Sequence, residues 1–192
     1  MNVVNRFPPK RSDNVQMNKQ KEIAGNTNSN RTHILLGMLT CVILPGLIYF
    51  NSLSAPFFFD DYANIVDNPD IKQISNLKAS FENKRGSGIG RSDAFRPLTF
   101  ISFSMNYHFG KLNPYGYRLF NLIIHIVTTL LIFVLSIKVF LRLLQIDNII
   151  PSLFAAILFT VHPINTEVVT YISNRSDSLA TMFYLSALLF FY

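Results

Sequence analysis

Apolar and polar positions fall into long alternating blocks along the 192-residue chain. Ile34 to Phe50 carries no charged residue. At seventeen residues it sits at the short end of the range that crosses a bilayer as a helix, and Pro45 predicts a kink within it. A second run, from about Tyr117 to Phe140, ends at Lys138 and Arg142, and a third, from Ile149 to Val161, is bracketed by Pro151 and Pro163. The fourth starts at Ser178 and continues to Tyr192. Its fifteen residues reach roughly 22 Å at 1.5 Å per residue, less than a ~30 Å hydrocarbon core. The expectation is an all-α integral membrane protein with about four spanning helices, the last one cut short, so that the chain reads as a fragment.

Between the first two runs lies a polar segment, residues 51–116, with seven basic and six acidic residues, too charged for lipid yet rich in Phe, Tyr, Ile and Leu. Asn68-Pro69-Asp70 supplies a cap residue, a first-turn proline and a first-turn acid. Ile71, Ile74, Leu77 and Phe81 follow at helical spacing, which predicts an amphipathic helix over about 69–83. Gly86, Gly88 and Gly90 then mark a turn. Pro97 to Phe109 fits two patterns, because Ile101, Phe103, Met105, Tyr107 and Phe109 alternate as in a strand while Leu98, Ile101, Met105 and Phe109 share a helical face. An open strand edge at a membrane surface has no pairing partner here, so an interfacial helix is the preferred reading.

The resulting organisation is a disordered tail over 1–32, a first span over 33–50 and an external loop over 51–116. Then come a second span over 117–142, a third over 149–162, an external polar segment over 163–177 and the start of a fourth span over 178–192. Charge sets the orientation. The tail holds Arg6, Lys10, Arg11, Lys19, Lys21 and Arg31 against only Asp13 and Glu22. Such an excess beside a first span keeps the N-terminus cytoplasmic in a multi-pass protein of the plasma (inner) membrane. The tail is too long for a cleaved signal peptide, and no small-residue cleavage pattern follows Phe50. With the tail inside, Asp60, Asp61, Glu167, Arg175 and Asp177 all fall on the outer face.

Composition agrees with a membrane assignment. Hydrophobic residues make up 49% and charged residues 15% of the chain, the latter well below the ~25% of soluble domains. The net charge of +6 is accounted for by the orienting residues, so nucleic acid is not an expected partner. The single cysteine, Cys41, lies in an apolar run and excludes an internal disulfide or cysteine metal site.

The candidate chemistry is sparse. Phe57-Phe58-Phe59-Asp60-Asp61 places adjacent carboxylates behind an aromatic anchor just past the first span. Partial desolvation there favours the protonated form and makes the ionised form a better base. The pair can also bind a divalent cation, or be no more than a solvated turn. Asn121, His125 and Thr128 or Thr129 make a polar stripe on the second span, which must face other helices or a wet cavity. Interhelical hydrogen bonding is the plainer role for His125. His162-Pro163 ends the third run, and Glu167, Tyr171 and Arg175 follow along one helical face. Arg175 can offer a bidentate guanidinium to a phosphate or pair with a nearby acid, Asp177 can cap the last helix, and Arg96 can contact phosphate or anchor at headgroups. Asn174-Arg175-Ser176 matches the N-glycosylation acceptor pattern, a weak signal.

The ordered series Phe59-Asp60-Asp61, Asn68-Pro69, Arg96-Pro97-Leu98, Asn106-Tyr107, Gly110, Asn113-Pro114 and Gly116-Tyr117 resembles one known family. So do Asn121 with His125, then His162-Pro163, Asn165-Thr166-Glu167 and Asn174-Arg175-Ser176-Asp177. Together they resemble the N-terminal membrane region of the transmembrane tetratricopeptide-repeat O-mannosyltransferases and their bacterial relatives, within the C-type (GT-C) glycosyltransferase superfamily. The resemblance spans about residues 51–192. It implies transfer of a sugar, with mannose suggested, from a polyprenyl-phosphate carrier to an acceptor hydroxyl of a protein or glycan on the non-cytoplasmic face. It further implies Asp60 and Asp61 as the catalytic acids and Arg175 and Arg96 as the donor-phosphate contacts. His162, Glu167, Asp177 and His125 would shape the site; many C-type enzymes need no metal, so the acid pair does not establish one, although a divalent metal at Asp60 and Asp61 stays open. Relatives continue through further helices and a tetratricopeptide domain, so the 192 residues are expected to be inactive alone. A non-catalytic membrane scaffold with a protein-binding external loop is the alternative. A transporter fits least, because its polar site belongs near mid-bilayer.

Overall fold

A computed structural model describes residues 31–72, 96–146 and 148–192. Most of the expected tail, the body of the amphipathic helix expected at 69–83 and the glycine turn that follows it lie outside these residues. Of that helix, only a 3-10 turn at Asp70–Lys72 is described.

Six helices carry the described chain, and no strand occurs among the described residues. Helix α1, Arg31–Ser54, stays helical through Pro45 and tightens to 3-10 geometry over Phe50–Ser54. Helix α2, Pro97–Gly110, decides the strand-or-helix question, with proline in the first turn where its missing N–H costs nothing. Its sequence-predicted apolar face points outward, leaving Leu98, Met105 and Phe109 exposed, while Phe100 and Phe103 turn inward. Helix α3, Pro114–Leu143, starts at Asn113, whose side-chain oxygen accepts the Tyr115 N–H at 3.1 Å, with Pro114 at the first position. Helices α4, Ile150–Val161, and α5, Ile164–Thr170, are separated at Pro163 and bent by 65°. Helix α6 runs Arg175–Phe191.

Two of these helices, α1 and α3, are long and apolar enough to cross a membrane, and the bent α4–α5 pair makes a third if it counts as one span. Helix α6 has 17 residues and opens with Arg175 and Asp177, so its apolar part is shorter than a full span. The architecture is an all-α membrane fold.

The chain divides into compact units at Met1–Met38 and Leu39–Tyr192, and every contact described below lies within the second. Its interior has two apolar clusters. Tyr49 and Leu53 of α1 meet Leu122 of α3 and Val169 of α5. Nearer the α3 N-terminus, Ile65 and Ile71 of the loop pack with Phe100 and Phe103 of α2, Tyr117 of α3, and Ile172. The loop after α1 is thereby fastened to the helices by apolar burial. Deleting most of a fully buried isoleucine costs about 2–5 kcal/mol.

A third core element is polar. The Arg175 side chain at the start of α6 has no exposed surface. Its Nε donates to Asn121 Oδ1 at 2.8 Å, and Nη1 donates to Ser102 Oγ at 2.9 Å and Asn106 Oδ1 at 2.8 Å. Nη2 donates to the Tyr117 carbonyl at 2.8 Å. The guanidinium carbon also lies 4.6 Å from the Phe103 ring centre and 4.7 Å from that of Phe120. Neutral acceptors and ring faces, rather than a carboxylate, compensate its desolvation.

Two stability predictions follow from this packing. Ile71→Ala lowers stability by about 2–4 kcal/mol, seen as a reduced unfolding temperature of the purified protein in detergent. Arg175→Met leaves several buried acceptors without donors and costs about 3 kcal/mol or more. Arg175→Lys falls between it and wild type because an ammonium cannot reproduce the planar fork. Equal unfolding temperatures for all three Arg175 proteins would refute the hub.

Candidate functional site

The loop after α1, the turn between α5 and α6, and the start of α3 meet at one end of the helices, with Arg96, just before α2, bonded to Ser176 there. At that end the adjacent carboxylates of the sequence separate. Asp60 is exposed, and its backbone N–H donates to the Tyr171 hydroxyl at 3.3 Å. Asp61 is fully buried. Its Oδ1 accepts the Ser173 backbone N–H at 3.0 Å and the Ser173 hydroxyl at 2.7 Å, and its Oδ2 accepts the Phe58 N–H at 3.2 Å. Asn64 Nδ2 donates to the same Ser173 oxygen at 3.2 Å. Tight backbone geometry allows the split: Phe59 sits at φ 44°, a left-handed conformation that is uncommon for a bulky residue.

Burial pushes the Asp61 carboxyl above its ordinary value. The hydrogen bonds from Ser173 and Phe58, and the positive charge of Arg118, pull it part of the way back. Burial likewise raises the Tyr171 phenol, and the neighbouring Asp60 carboxylate adds to the rise. Every hydrogen bond to Asp61 is donated to the carboxylate, which offsets part of the desolvation without restoring the ordinary value.

Beside the acid pair opens a cavity of about 640 Å³, lined by Ala55, Pro56, Phe58 and Phe59 on its apolar side and by Arg118, Glu167 and Tyr171 on its polar side. Arg118 had no sequence signal beyond being a basic residue at the start of a span. Its Nη1 and Nη2 donate to the carbonyls of Ala55 and Pro56, and its Nε donates to the Thr170 carbonyl at 3.0 Å. It thus ties the loop leaving α1 to the end of α5 while keeping a positive charge on the cavity wall.

The other sequence-predicted residues are distributed unevenly. Glu167 lines the cavity, and its Oε1 accepts from Asn174 Nδ2 at 2.9 Å. Arg175 does not reach the cavity: its guanidinium is enclosed by α2 and α3, with its donors engaged there. The guanidinium expected to contact phosphate is thus fully buried, and its hydrogen bonds go to neutral acceptors. Arg96 is exposed and donates to Ser176 Oγ at 2.8 Å, and Asp177 accepts from that hydroxyl at 3.2 Å. Asn174 is the residue the acceptor pattern would modify, yet its amide is bound to Glu167 and its neighbour Arg175 is sealed in the core.

His162 borders a separate depression of about 320 Å³ with Leu158, Phe159, Ile164 and Asn165, and its Nδ1 accepts the Ile164 N–H at 3.3 Å. His125 is buried at mid-helix, edge-on to Tyr49 and stacked on Phe159 with ring centres 5.5 and 5.3 Å apart. Neither histidine joins the acid pair. Among the described residues no group of three or more His, Cys, Asp or Glu side chains is placed to hold a metal ion.

Comparison with known proteins places this geometry in a family. The chain is 36% identical over 168 residues to protein O-mannosyl-transferase TMTC3 of Homo sapiens, covering 85% of this chain and 17% of that protein. It is 33% identical over 163 residues to Tmtc1 of Drosophila melanogaster, covering 81% of this chain and 18% of that protein. It is also 34% identical over 146 residues to TMTC2 of Homo sapiens, covering 74% of this chain and 17% of that protein. No family model and no solved structure matches the chain. The chain thus spans about a sixth of the length of these curated relatives. Similarity at this level over most of its residues, on an all-α membrane fold, means that the chain belongs to the TMTC protein O-mannosyl-transferase family.

Proposed function

We propose that this chain carries the catalytic-acid portion of a membrane glycosyltransferase. In this reading the enzyme moves a sugar, mannose by analogy with its relatives, from a polyprenyl-phosphate carrier to an acceptor hydroxyl of a protein or glycan. The reaction takes place on the non-cytoplasmic face of the plasma (inner) membrane in a multi-pass protein with a cytoplasmic N-terminus. The activity for which the relatives are named supports the reaction class, and the basic tail supports the sidedness.

The observation that carries the proposal is the exposed Asp60, fixed through Tyr171 beside a cavity with one apolar and one charged wall. Asp60 takes the proton of the acceptor hydroxyl, and that oxygen bonds to the anomeric carbon as the carbon–oxygen bond to phosphate breaks. A positioned base contributes roughly 10²–10⁴-fold. The electron pair leaves with the polyprenyl phosphate, whose growing negative charge is met by the exposed Arg96 at the same end of the helices, while Arg118, buried and bonded to three backbone carbonyls, acts only as a fixed positive charge behind the cavity wall. Phe58, Phe59, Ala55 and Pro56 give the carrier's apolar portion a surface, and Glu167 contributes a carboxylate to the sugar's hydroxyls. Asp61 holds the loop, and Arg175 holds the turn that receives it.

Asp60→Asn in the complete gene product lowers transfer from a radiolabelled mannosyl phosphopolyprenol to membrane proteins by about 10²-fold or more. Transfer retained in both Asp60→Asn and Asp61→Asn removes the catalytic reading and favours a scaffold whose exposed loop binds protein. A pH effect on stability follows from Asp61. Its folded-state carboxyl holds a proton to higher pH than an unfolded aspartate does, so the folded state binds more protons in that window. Stability therefore falls as pH rises from the ordinary carboxylate range through the raised value, and Asp61→Asn flattens that slope in thermal unfolding scans.

A further inference from the structure

We infer that Ser173 is a positioning residue for the acid pair, acting through Asp61 to set where the Asp60 carboxylate stands; this rests on the proposed transferase reading. Residues 61 and 173 are 112 positions apart in sequence, yet two of the three hydrogen bonds to the buried Asp61 come from Ser173, through its backbone N–H and its hydroxyl. The hydroxyl donates to Asp61 and accepts from Asn64 Nδ2, so Asn64 fixes the direction of its proton. One turn thus holds both acids, Asp60 through Tyr171 and Asp61 through Ser173.

The turn is itself immobilised from both sides. Asn121 Nδ2 donates to the Tyr171 carbonyl at 3.4 Å, Arg118 Nε donates to the Thr170 carbonyl, and Ile172 is fully buried. Two residues after Ser173, Arg175 is locked into α2 and α3. Ser173 is therefore the point at which a rigid part of the helical core meets the loop bearing the candidate base. A misplacement of about 1 Å at such a point is enough to cost up to 10²-fold in rate.

The charged and titratable groups around Asp61 are Arg118 from α3, Asp60 beside it in the loop, Tyr171 from the turn, and the buried Arg175 at the start of α6, which feels the Asp61 charge. All the hydrogen bonds to Asp61 are donated to it, so protonation weakens them by removing the negative charge at which they point. Removing the Ser173 hydroxyl deletes a bond to the ionised form, and protonation then occurs at higher pH.

The experiment uses the complete gene product in membranes, with radiolabelled mannosyl phosphopolyprenol as donor, and compares wild type with Ser173→Ala, Ser173→Thr and Asp60→Asn across pH. Ser173→Ala is expected to lower kcat on the order of tenfold with little change in donor KM, and to move the acid limb of the rate profile to higher pH. Ser173→Thr, which keeps a hydroxyl, returns the limb to its wild-type position. Two results overturn the inference while leaving the transferase reading intact: wild-type kinetics in Ser173→Ala, or an equal loss at every pH that Ser173→Thr does not rescue, each with Asp60→Asn inactive. Full transfer by Asp60→Asn overturns both.

Discussion

A charge buried without a directly bonded counter-charge dictates much of this structure. Arg175 is enclosed completely, and among the described residues no carboxylate pairs with it. Such a cation is tolerable only if its N–H groups all but exhaust themselves on fixed acceptors, because each lost bond exposes the full desolvation cost. The acceptors come from three places at once: Ser102 and Asn106 on α2, Asn121 on α3, and the Tyr117 carbonyl at the top of α3. Phe103 and Phe120 close the remaining space with ring faces. The relative placement of α2, α3 and the start of α6 is consequently specified by one guanidinium.

Rigidity passes from that hub to the acid pair through a short turn. Tyr171 and Ser173 lie within four residues of Arg175 and hold Asp60 and Asp61 by hydrogen bonds. The consequence is a division of labour between neighbours in sequence. The inward carboxylate is held by three hydrogen bonds, while the outward one stands exposed beside the Tyr171 hydroxyl. Side chains adjacent in a chain point in different directions, so a pair of identical acids is easily split by a tight loop, and here the left-handed Phe59 marks the place. The apolar residues before the pair then form one cavity wall, and the basic residue at the start of α3 supplies charge opposite them.

The polar stripe of α3 illustrates the cost of polar groups in a membrane helix. Asn121 is satisfied by Arg175 and the Tyr171 carbonyl. Thr128 returns its hydroxyl to the Ile124 carbonyl at 2.8 Å, and Thr129 pairs with Thr160 of α4 at 3.1 Å. The Asn121 and Thr129 bonds join α3 to its neighbours in a medium where apolar side chains gain nothing by leaving lipid for each other, whereas the Thr128 bond closes within α3 itself. The stripe is therefore partly interhelical, and His125 sits in it between two aromatic rings rather than at the cavity.

The sequence by itself determined the helical membrane class, the places where α1 and α3 run, and the break at Pro163, because long uncharged runs and proline act locally. It also singled out Asp60, Asp61, Glu167 and Arg175, since such groups are rare beside apolar spans. It found residues 98–109 fitting periods of both 2 and 3.6 and preferred a helix for want of a strand partner; the structure has that helix, with Phe100 and Phe103, outside the expected apolar face, as its buried aromatics. Which acid faces outward, and that Arg118 rather than Arg175 lines the cavity, were settled in three dimensions. Burial and hydrogen-bond saturation depend on partners 50 to 112 residues away, and no local pattern records whether a guanidinium's donors are already taken.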